Sequence, residues 1–344
     1  MGGNVLLGFA FGIVSGIFSG SFALPMKFTV KWKWENTWSV HSLWSLLILP
    51  WAIALLTVPN LFSVYRATPA GIMLVVFLFG FGWGIGGVLY GMGLDIVGLA
   101  LGTAIMMGLI NALGSLLPMV FFHPEDFSKP VGKCIAAGVF VMLAAIVVCT
   151  IAGFQKEKAV AALKTGKESA NMKKPFATGL TICVVSGVLS PMLNFAFVFG
   201  DRIRENAVAQ GASLTNAPNA IWSIALLGGL IVNVGYCVFK LSGNKSWGSF
   251  RAAGTGAYWI FTFLMAFMWM ASIMFYGMGA ANLGKLGPSL GWPIFMGVAI
   301  IAGNVMGIVT GEWKNTGTKP IMINAAGILL LLVGLGLIGL ASSL

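Results

Sequence analysis

The feature that most restricts the possible folds is a series of long apolar stretches that contain almost no charged residues. Hydrophobic residues make up 58% of the 344 positions and charged residues 8%, whereas a soluble globular chain carries roughly 45–50% and about 25%. A helix of roughly 20 apolar residues spans a bilayer, so the chain has room for about ten such helices. We therefore predict an all-α polytopic membrane protein with ten transmembrane helices, in which each helix satisfies its own backbone hydrogen bonds in lipid.

Basic residues are distributed unevenly between the connectors of these helices. With the connectors numbered from the N-terminus, the odd-numbered ones carry 14 of the 20 lysine and arginine residues. Connectors rich in these residues stay on the cytoplasmic side of a membrane. We therefore expect the odd-numbered connectors to be cytoplasmic and both termini to be outside. The net charge of +11 then marks topology, so we expect no nucleic-acid partner, and the sequence does not imply an oligomer.

The two halves of the sequence resemble each other. Residues 14–19 in the first predicted span match residues 185–190 in the sixth. Trp83 and Tyr90 in the third span match Trp269 and Tyr276 in the eighth at a constant offset. Because each half holds an odd number of spans, the second half is inverted relative to the first, as in many secondary transporters. We predict two five-helix repeats, residues 1–154 and 175–344, joined by a cytoplasmic connector at 155–174.

Polar and aromatic residues recur on single faces of several predicted spans, which suggests a shared cavity for a polar solute. Sugars are bound by hydroxyl, amide and indole groups together with flat aromatic faces. The same residue types also serve as interfacial belts or as hydrogen bonds between helices, and the pattern alone leaves both interpretations open. The candidate substrate-binding residues are Trp38, Trp83, Tyr90, Asn111, Ser190, Asn194, Trp269, Ser272 and Tyr276. We expect the four that repeat between the halves to line one midplane cavity.

Glu35 is the best-placed carboxylate for coupling transport to a proton. It starts the second predicted span and shares a helix face with Trp38. A carboxylate that alternates between desolvated and solvated surroundings can take up a proton on one side and release it on the other. A carboxylate at a helix N-terminus can instead simply complement the helix dipole. Should Glu35 not carry the proton, the remaining candidates are Asp201, Glu312 and His41.

Nothing in the sequence indicates catalysis. Intramembrane hydrolysis or phosphoryl transfer needs a metal cluster, a Ser/His/Asp set or grouped arginines and carboxylates. The chain has two histidines, His41 and His123, and no HExxH motif. We predict no enzymatic activity, no metal and no cofactor.

The run KWKWENTWSV at residues 31–40, followed by ILPWAI at residues 48–53, resembles a signature of the L-rhamnose–proton symporters. Further similarities include Asn233 with Cys237 and Glu312 with Trp313, and together they extend over nearly the whole chain. That family belongs to the drug/metabolite transporter superfamily, which has a ten-helix, five-plus-five inverted fold. The resemblance implies proton-coupled import of L-rhamnose or a related deoxy sugar by alternating access, and it retains Glu35.

One departure from that family concerns the eighth span. Trp269 is followed three residues later by Ser272, where the rhamnose carriers have a Trp-x-x-Gln pattern. A lost amide changes which sugar hydroxyl can be paired. The alternative function is an exporter or exchanger of another small metabolite on the same superfamily fold. An exporter of cationic drugs would be expected to hold a carboxylate deep within a span, and the deepest parts of these spans contain none.

Overall fold

The computed structural model describes residues 4–163, 176–314 and 316–342, and within these ranges the chain forms helices and no strands. Ten of the helices are long and apolar enough to cross a membrane, which confirms the predicted fold class. They are α1 (Val5–Phe28), α2 (Trp34–Thr57), α3 (Ala70–Val97), α4 (Leu101–Phe122), α5 (Pro130–Ala159), α6 (Ala177–Ala209), α7 (Asn219–Gly243), α8 (Gly256–Asn282), α9 (Gly284–Val309) and α10 (Thr318–Ala341). Short helices lie between them at Leu61–Ala67, Pro124–Phe127 and Trp247–Arg251. Residues 164–174 of the predicted connector fall outside the described ranges.

The second helix is not regular along its whole length. A π-helical segment, Trp44–Ile48, lies in α2 directly before Pro50. Proline has no N–H and its ring crowds the carbonyl group four residues earlier, so the backbone around it cannot keep the α-helical pattern. Such π-segments are frequent at functional sites. This one lies at the middle of α2, which makes α2 a helix of interest.

Helices α3 and α7 cross closely at glycines. A Cβ atom built on Gly80 would lie 1.7 Å from the carbonyl oxygen of Ala225, and one built on Gly84 would lie 2.9 Å from the Cα atom of Gly229. Small residues allow helices in lipid to approach to this distance. Gly229 also leaves space for the ring of Trp83, which a Cβ atom there would meet at 2.6 Å. The glycines therefore fix where the Trp83 ring can lie.

Helix contacts recur in two matching sets. α1 packs against α8 and α9, and α6 packs against α3 and α4, while α5 packs against α10. Ser15 Oγ in α1 donates a hydrogen bond to the carbonyl oxygen of Ser272 at 2.7 Å. Ser186 Oγ in α6 donates to the carbonyl oxygen of Gly86 at 2.8 Å. These two bonds join residues that occupy equivalent positions in the two similar halves of the sequence.

The connectors gather at the two ends of the bundle. At one end Glu312 binds Lys27 at 2.5 Å and Lys156 at 3.0 Å, which links the ends of α1 and α5 to the connector after α9. We call this end the basic face, because it carries the odd-numbered connectors. At the other end, the opposite face, Lys285 binds Asp126 at 2.6 Å. That ion pair links the connectors that follow α4 and α8.

Candidate functional site

Two cavities lie between the helices near the basic face. Cavity 1 has a volume of about 380 Å³ and is formed by α2, α3 and α7. Cavity 2 has a volume of about 450 Å³ and is formed mainly by α1, α5 and α9. Both volumes fall in the range of small-molecule sites, about 300–1,000 Å³. The lining of cavity 1 combines aromatic, carboxylate and amide groups, and it includes Trp34, Glu35, Trp38, Asp95, Asn233 and Tyr236.

A line of aromatic rings joins the two cavities. Trp34 stacks on Trp38 with ring centroids 5.4 Å apart, and the Trp38 ring lies 4.9 Å from the ring of His41. On its other side the His41 ring stacks on Phe22 at 5.8 Å. Trp38 lines cavity 1 and Phe22 lines cavity 2. The imidazole of His41 therefore lies between the two cavities.

Two further tryptophans meet at the centre of the bundle. Trp83 lies halfway along α3 and Trp269 halfway along α8, and their rings stack at 5.4 Å. The His41 ring stands edge-on to Trp269 at 6.4 Å. The structure thus brings the predicted residues Trp38, Trp83 and Trp269 into one aromatic cluster. A flat aromatic surface beside polar groups is suited to the apolar face and the hydroxyl groups of a sugar ring.

Glu35 is buried but lines cavity 1. Its Oε1 atom accepts hydrogen bonds from Asn244 Nδ2 at 2.9 Å and from Ser246 Oγ at 2.7 Å. Both donors are uncharged and follow α7, so the carboxyl group ties the start of α2 to the end of α7. Because both bonds end on Oε1, a proton on Oε2 leaves them in place. The arrangement is compatible with a carboxyl group that gains and loses a proton without rearrangement.

Two other predicted residues, Asn194 and Tyr276, lie in a packed region nearer the opposite face. The Tyr276 hydroxyl donates to Asn194 Oδ1, and Asn194 Nδ2 donates to the carbonyl oxygen of Gly114 at 2.7 Å. The rings of Trp222 and Trp292 surround Tyr276. The two repeated tryptophans meet as a stacked pair, whereas the Tyr276 hydroxyl pairs with Asn194 in the packed region. That the four repeated residues line one cavity stays a prediction.

The remaining predicted residues have different surroundings. Tyr90 is partly buried and packs against the largest hydrophobic cluster. Ser190 lies at the interruption of α6, against Gly86 of α3. The amide group of Asn111 and the hydroxyl of Ser272 are fully buried and have no hydrogen-bond partner among the described residues. Buried polar groups are normally paired, so these two groups remain available to a solute or to water.

Sequence reasoning missed several residues that line cavity 1. Trp34 was detectable, because it lies next to Glu35 and one helical turn before Trp38. Asn233 accepts a hydrogen bond from Trp38 Nε1 at 3.0 Å and thereby orients that indole. Asn233 could have been predicted as a site residue, because it lies in a motif shared with the rhamnose carriers. Asn244 lies just beyond the end of α7, and no periodic pattern marks it.

The charged groups of the connectors are engaged with one another. Hydrogen bonds from Lys129 and Lys285 lower the pKa of Asp126 to about 2, and those from Lys27 and Lys156 lower the pKa of Glu312. His123, Glu125 and Asp126 lie close enough together to form a metal-binding group. Asp126 is occupied by its two lysines, so this group is better described as an ion-pair cluster.

These features together define a polytopic α-helical membrane transporter with an aromatic and polar central site. The chain belongs to the L-rhamnose-proton symport protein family, whose profile matches residues 1–343. Similar curated proteins include the L-rhamnose-proton symporters of Mannheimia succiniciproducens, Yersinia pestis and Yersinia pseudotuberculosis. Each is 29% identical over 348 residues, which cover 99% of this chain and 99% of the relative. The relatives are named as symporters, so the protein is a transporter and not an enzyme.

Proposed function

We propose that this protein imports L-rhamnose or a related deoxy sugar together with a proton, by alternating exposure of a central site to the two sides of a bacterial inner membrane. The observation that carries the proposal is the tryptophan cluster at the centre of the bundle, which adjoins a cavity lined by Glu35. The relatives named above are rhamnose-proton symporters, and the substrate class is taken from them.

The sugar site that we propose lies where Trp38, Trp83 and Trp269 approach one another. Their rings provide apolar faces, and Ser272, one turn after Trp269 on α8, provides an unpaired hydroxyl for the sugar. Asn111, at the middle of α4, is the candidate for an unpaired amide. A sugar that carries a methyl group in place of one hydroxyl suits a site with large aromatic surfaces, because the methyl group requires no hydrogen-bond partner.

We infer that residues 1–154 and 175–344 form inverted repeats. The inference is supported by the equivalent hydrogen bonds of Ser15 and Ser186, which join α1 to α8 and α6 to α3. A protein with two such repeats can exchange the packing of its two ends, so that the site opens to each side in turn. In the arrangement described here the cavities lie at the basic face. The excess of lysine and arginine there supports a cytoplasmic location for this face and outside termini.

Glu35 is the residue to which we assign proton coupling. In the described arrangement it is reached from cavity 1 and is bound by two uncharged donors. A carboxyl group in this position exchanges its proton with water on the side of the cavity. The proton that enters with the sugar from outside is thereby released toward the cytoplasm, and the inward proton gradient drives accumulation.

Uptake by the purified protein in liposomes tests the proposed function. We expect radiolabelled L-rhamnose to accumulate above its external concentration when an inward proton gradient is imposed, and a protonophore to abolish this accumulation. A panel of deoxy sugars added as competitors then identifies the preferred substrate.

Two outcomes of the liposome experiment would contradict the proposed function. If no deoxy sugar is transported or competes, the substrate assignment is wrong. If labelled sugar leaves preloaded liposomes only in exchange for an external solute, and the proton gradient has no effect, the exchanger interpretation replaces symport.

A further inference from the structure

His41 is an ionisable residue within the membrane-spanning part of the chain. The coupling role assigned to Glu35 leaves it without a function. The sequence contains two histidines, and His123 lies outside the spans, between α4 and α5. The carboxylates of α2, α3 and α5, Glu35 and Asp95 among them, lie near helix ends. Asp201 and Glu205 lie farther inside α6, but their side chains are more than half exposed. His41 is instead in the eighth position of the 24-residue helix α2, where a titratable group in a membrane helix indicates function.

The surroundings of His41 give it no structural reason to be an imidazole. The side chain is 3% exposed, and its Nδ1 atom has no hydrogen-bond partner among the described residues. Rings of Phe22, Trp38 and Trp269 surround it. An apolar residue would fill this space without the cost of about 1–3 kcal/mol for an unpaired buried polar atom.

The position of His41 does offer a functional reason. Phe22, on one side of the imidazole, lines cavity 2, and Trp38, on the other side, lines cavity 1. The π-helical segment of α2 begins three residues after His41, and the hydroxyl groups of Ser42 and Ser45 beside it are also buried without partners. Polar atoms left unpaired around one point are the places where water, a proton or a solute hydroxyl can bind.

The groups that face His41 from its neighbours do not titrate. Phe22 belongs to α1 and Trp269 to α8, and Trp38 lies one turn earlier on α2 itself. The charged residues nearest along the two cavities are Glu35, Asp95 and Lys240 in cavity 1 and Lys156, Glu157 and Glu312 in cavity 2. Within the described ranges, a proton on His41 is therefore held without a charged residue in contact with the ring.

We propose that His41 binds the transported proton at the centre of the protein, next to the sugar site. The inference rests on the proposed symport function and adds a residue to it. With the opposite face open, an imidazole nitrogen takes a proton from external water and the ring becomes an imidazolium. With the basic face open, the N–H bond breaks, the proton passes to water in cavity 1, and it reaches the cytoplasm past Glu35. Sugar stacked on Trp83 and Trp269 senses the charge of the imidazolium through Trp269, to which the His41 ring stands edge-on.

Proton uptake that accompanies sugar entry tests the role of His41 in liposomes that contain a pH-sensitive dye. We expect wild type to move protons inward when sugar is added, and His41→Gln to lose this signal to less than about a tenth, since Gln cannot be protonated at neutral pH. Exchange of labelled sugar across the membrane at equal pH should persist in His41→Gln, because exchange needs no net proton movement. The matched control His123→Gln removes the histidine outside the spans and should behave as wild type.

The other outcomes separate the two proposals. If wild type accumulates no sugar, the proposed function fails. If wild type and Glu35→Gln behave as proposed but His41→Gln still moves protons with sugar, the His41 proposal fails alone. Loss of exchange in both His41→Gln and His41→Asn, with thermal stability retained, would assign His41 to sugar binding and overturn the proton role.

A measurement on protein with His41 intact covers the case in which the variants do not fold. An imidazolium in contact with an indole quenches its fluorescence, and two of the 12 tryptophans lie within 6.4 Å of the His41 ring. We expect the tryptophan fluorescence of wild type and of His123→Gln in lipid nanodiscs to fall reversibly on acidification, as the His41 ring becomes an imidazolium. A flat profile would contradict protonation of His41.

Discussion

The two ends of the helix bundle differ in packing although similar sequences build them. Gly91 in α3 and Gly277 in α8 are equivalent positions of the two halves. A Cβ atom built on Gly91 meets nothing within 4 Å, whereas one built on Gly277 lies 2.7 Å from the indole nitrogen of Trp222. Equivalent glycines of the two halves thus lie in different surroundings. Gly91 lies beside a cavity near the basic face, and Gly277 lies against a packed core near the opposite face. Because the sequence elements are alike, we attribute the difference to the conformation that the protein adopts here, with the basic face open. We do not attribute it to a permanent difference between the two ends.

The packed end is held by interactions that can be undone. Tyr276, Asn194 and Gly114 are joined by two hydrogen bonds, and Lys285 binds Asp126 across the connectors. The open end has bonds of the same kind, from Asn244 and Ser246 to Glu35 and from Lys27 and Lys156 to Glu312. There they line the cavities instead of closing them. Alternating access requires such reversible contacts, since each end must close in turn.

The largest effect is expected from Glu35→Gln in the open end. Glutamine keeps the oxygen that accepts from Asn244 and Ser246 but cannot release a proton. Sugar should still exchange across the membrane, while accumulation driven by a proton gradient should fall to about equilibrium, a ratio near one. Uptake and exchange by the same liposomes measure both quantities. Gradient-driven accumulation that survives in this variant would move the coupling role to another residue.

The next largest effect is expected at the centre, where the two ends meet. Replacing Trp269 by alanine removes the ring that stacks on Trp83 at 5.4 Å. The half-saturation concentration for sugar exchange should rise about tenfold, which corresponds to about 1.4 kcal/mol of binding. Trp247→Ala is the matched control, because Trp247 is half exposed at the basic face, and it should change exchange little. Equal effects in the two variants would remove Trp269 from the site.

A smaller effect is expected from Tyr276→Phe in the packed end. The variant leaves Asn194 Oδ1 buried without its donor, which costs about 1–3 kcal/mol. The melting temperature of the purified protein should fall, and the opposite face should open more often. Tyr90→Phe is the equivalent change near the open end. The Tyr90 hydroxyl bonds to Thr103, and both side chains are only partly buried, so this variant should lower the melting temperature less than Tyr276→Phe does. If Tyr90→Phe lowered the melting temperature more than Tyr276→Phe, the proposed difference in packing between the two ends would be wrong.

The smallest effect is expected at the connectors of the opposite face. Lys285→Gln removes the ion pair that joins two separate connectors. Lys129→Gln removes an ion pair within one connector, because Lys129 and Asp126 are three residues apart. Hydrogen–deuterium exchange near residues 124–130 and 284–286 should rise a few-fold in the first variant and less in the second. If Lys129→Gln raises exchange in both connectors as strongly, Lys285 does not hold them together.

The pKa of Asp126 sets the pH dependence of that ion pair. Hydrogen bonds from Lys129 and Lys285 hold the pKa at about 2, below the value near 4 of an unfolded aspartate. The stabilisation is therefore complete above about pH 4 and is lost only as the pH falls toward about 2. Hydrogen–deuterium exchange of this face in wild type, corrected for the intrinsic exchange rate, should not change between about pH 5 and pH 8. A change in that range would require another titrating group.

The sequence predicts the fold well because the requirements of lipid are local. Each apolar stretch reveals a helix, and the repeated Trp83 and Trp269 reveal that α3 and α8 have equivalent roles. The tryptophans meet as expected because both lie halfway along their helices, so the repeat places them at the same depth.

The sequence does not predict which end of the bundle is open. Tyr90 and Tyr276 each lie beyond the midpoint of their helices. Because α3 ends at the basic face and α8 ends at the opposite face, the two tyrosines lie toward different ends. Asn194 and Tyr276 satisfy each other in this arrangement, a pairing that depends on the tertiary packing of α6 against α8. Residues such as Asn244 reach cavity 1 from a connector, where no helical period exists to mark them.

Accessibility of a single cysteine at position 91 tests the central claim most directly. After Cys134, Cys149, Cys183 and Cys237 are replaced, Gly91→Cys places a thiol in cavity 1, where the glycine has open space. In sugar-free membranes an impermeant maleimide should label this cysteine in inside-out vesicles and not in right-side-out vesicles. Added L-rhamnose, by populating the state with the basic face closed, should slow the labelling. Labelling only from outside, or a rate in inside-out vesicles that no transported sugar changes, would contradict a cavity that opens to the cytoplasm and alternates with transport.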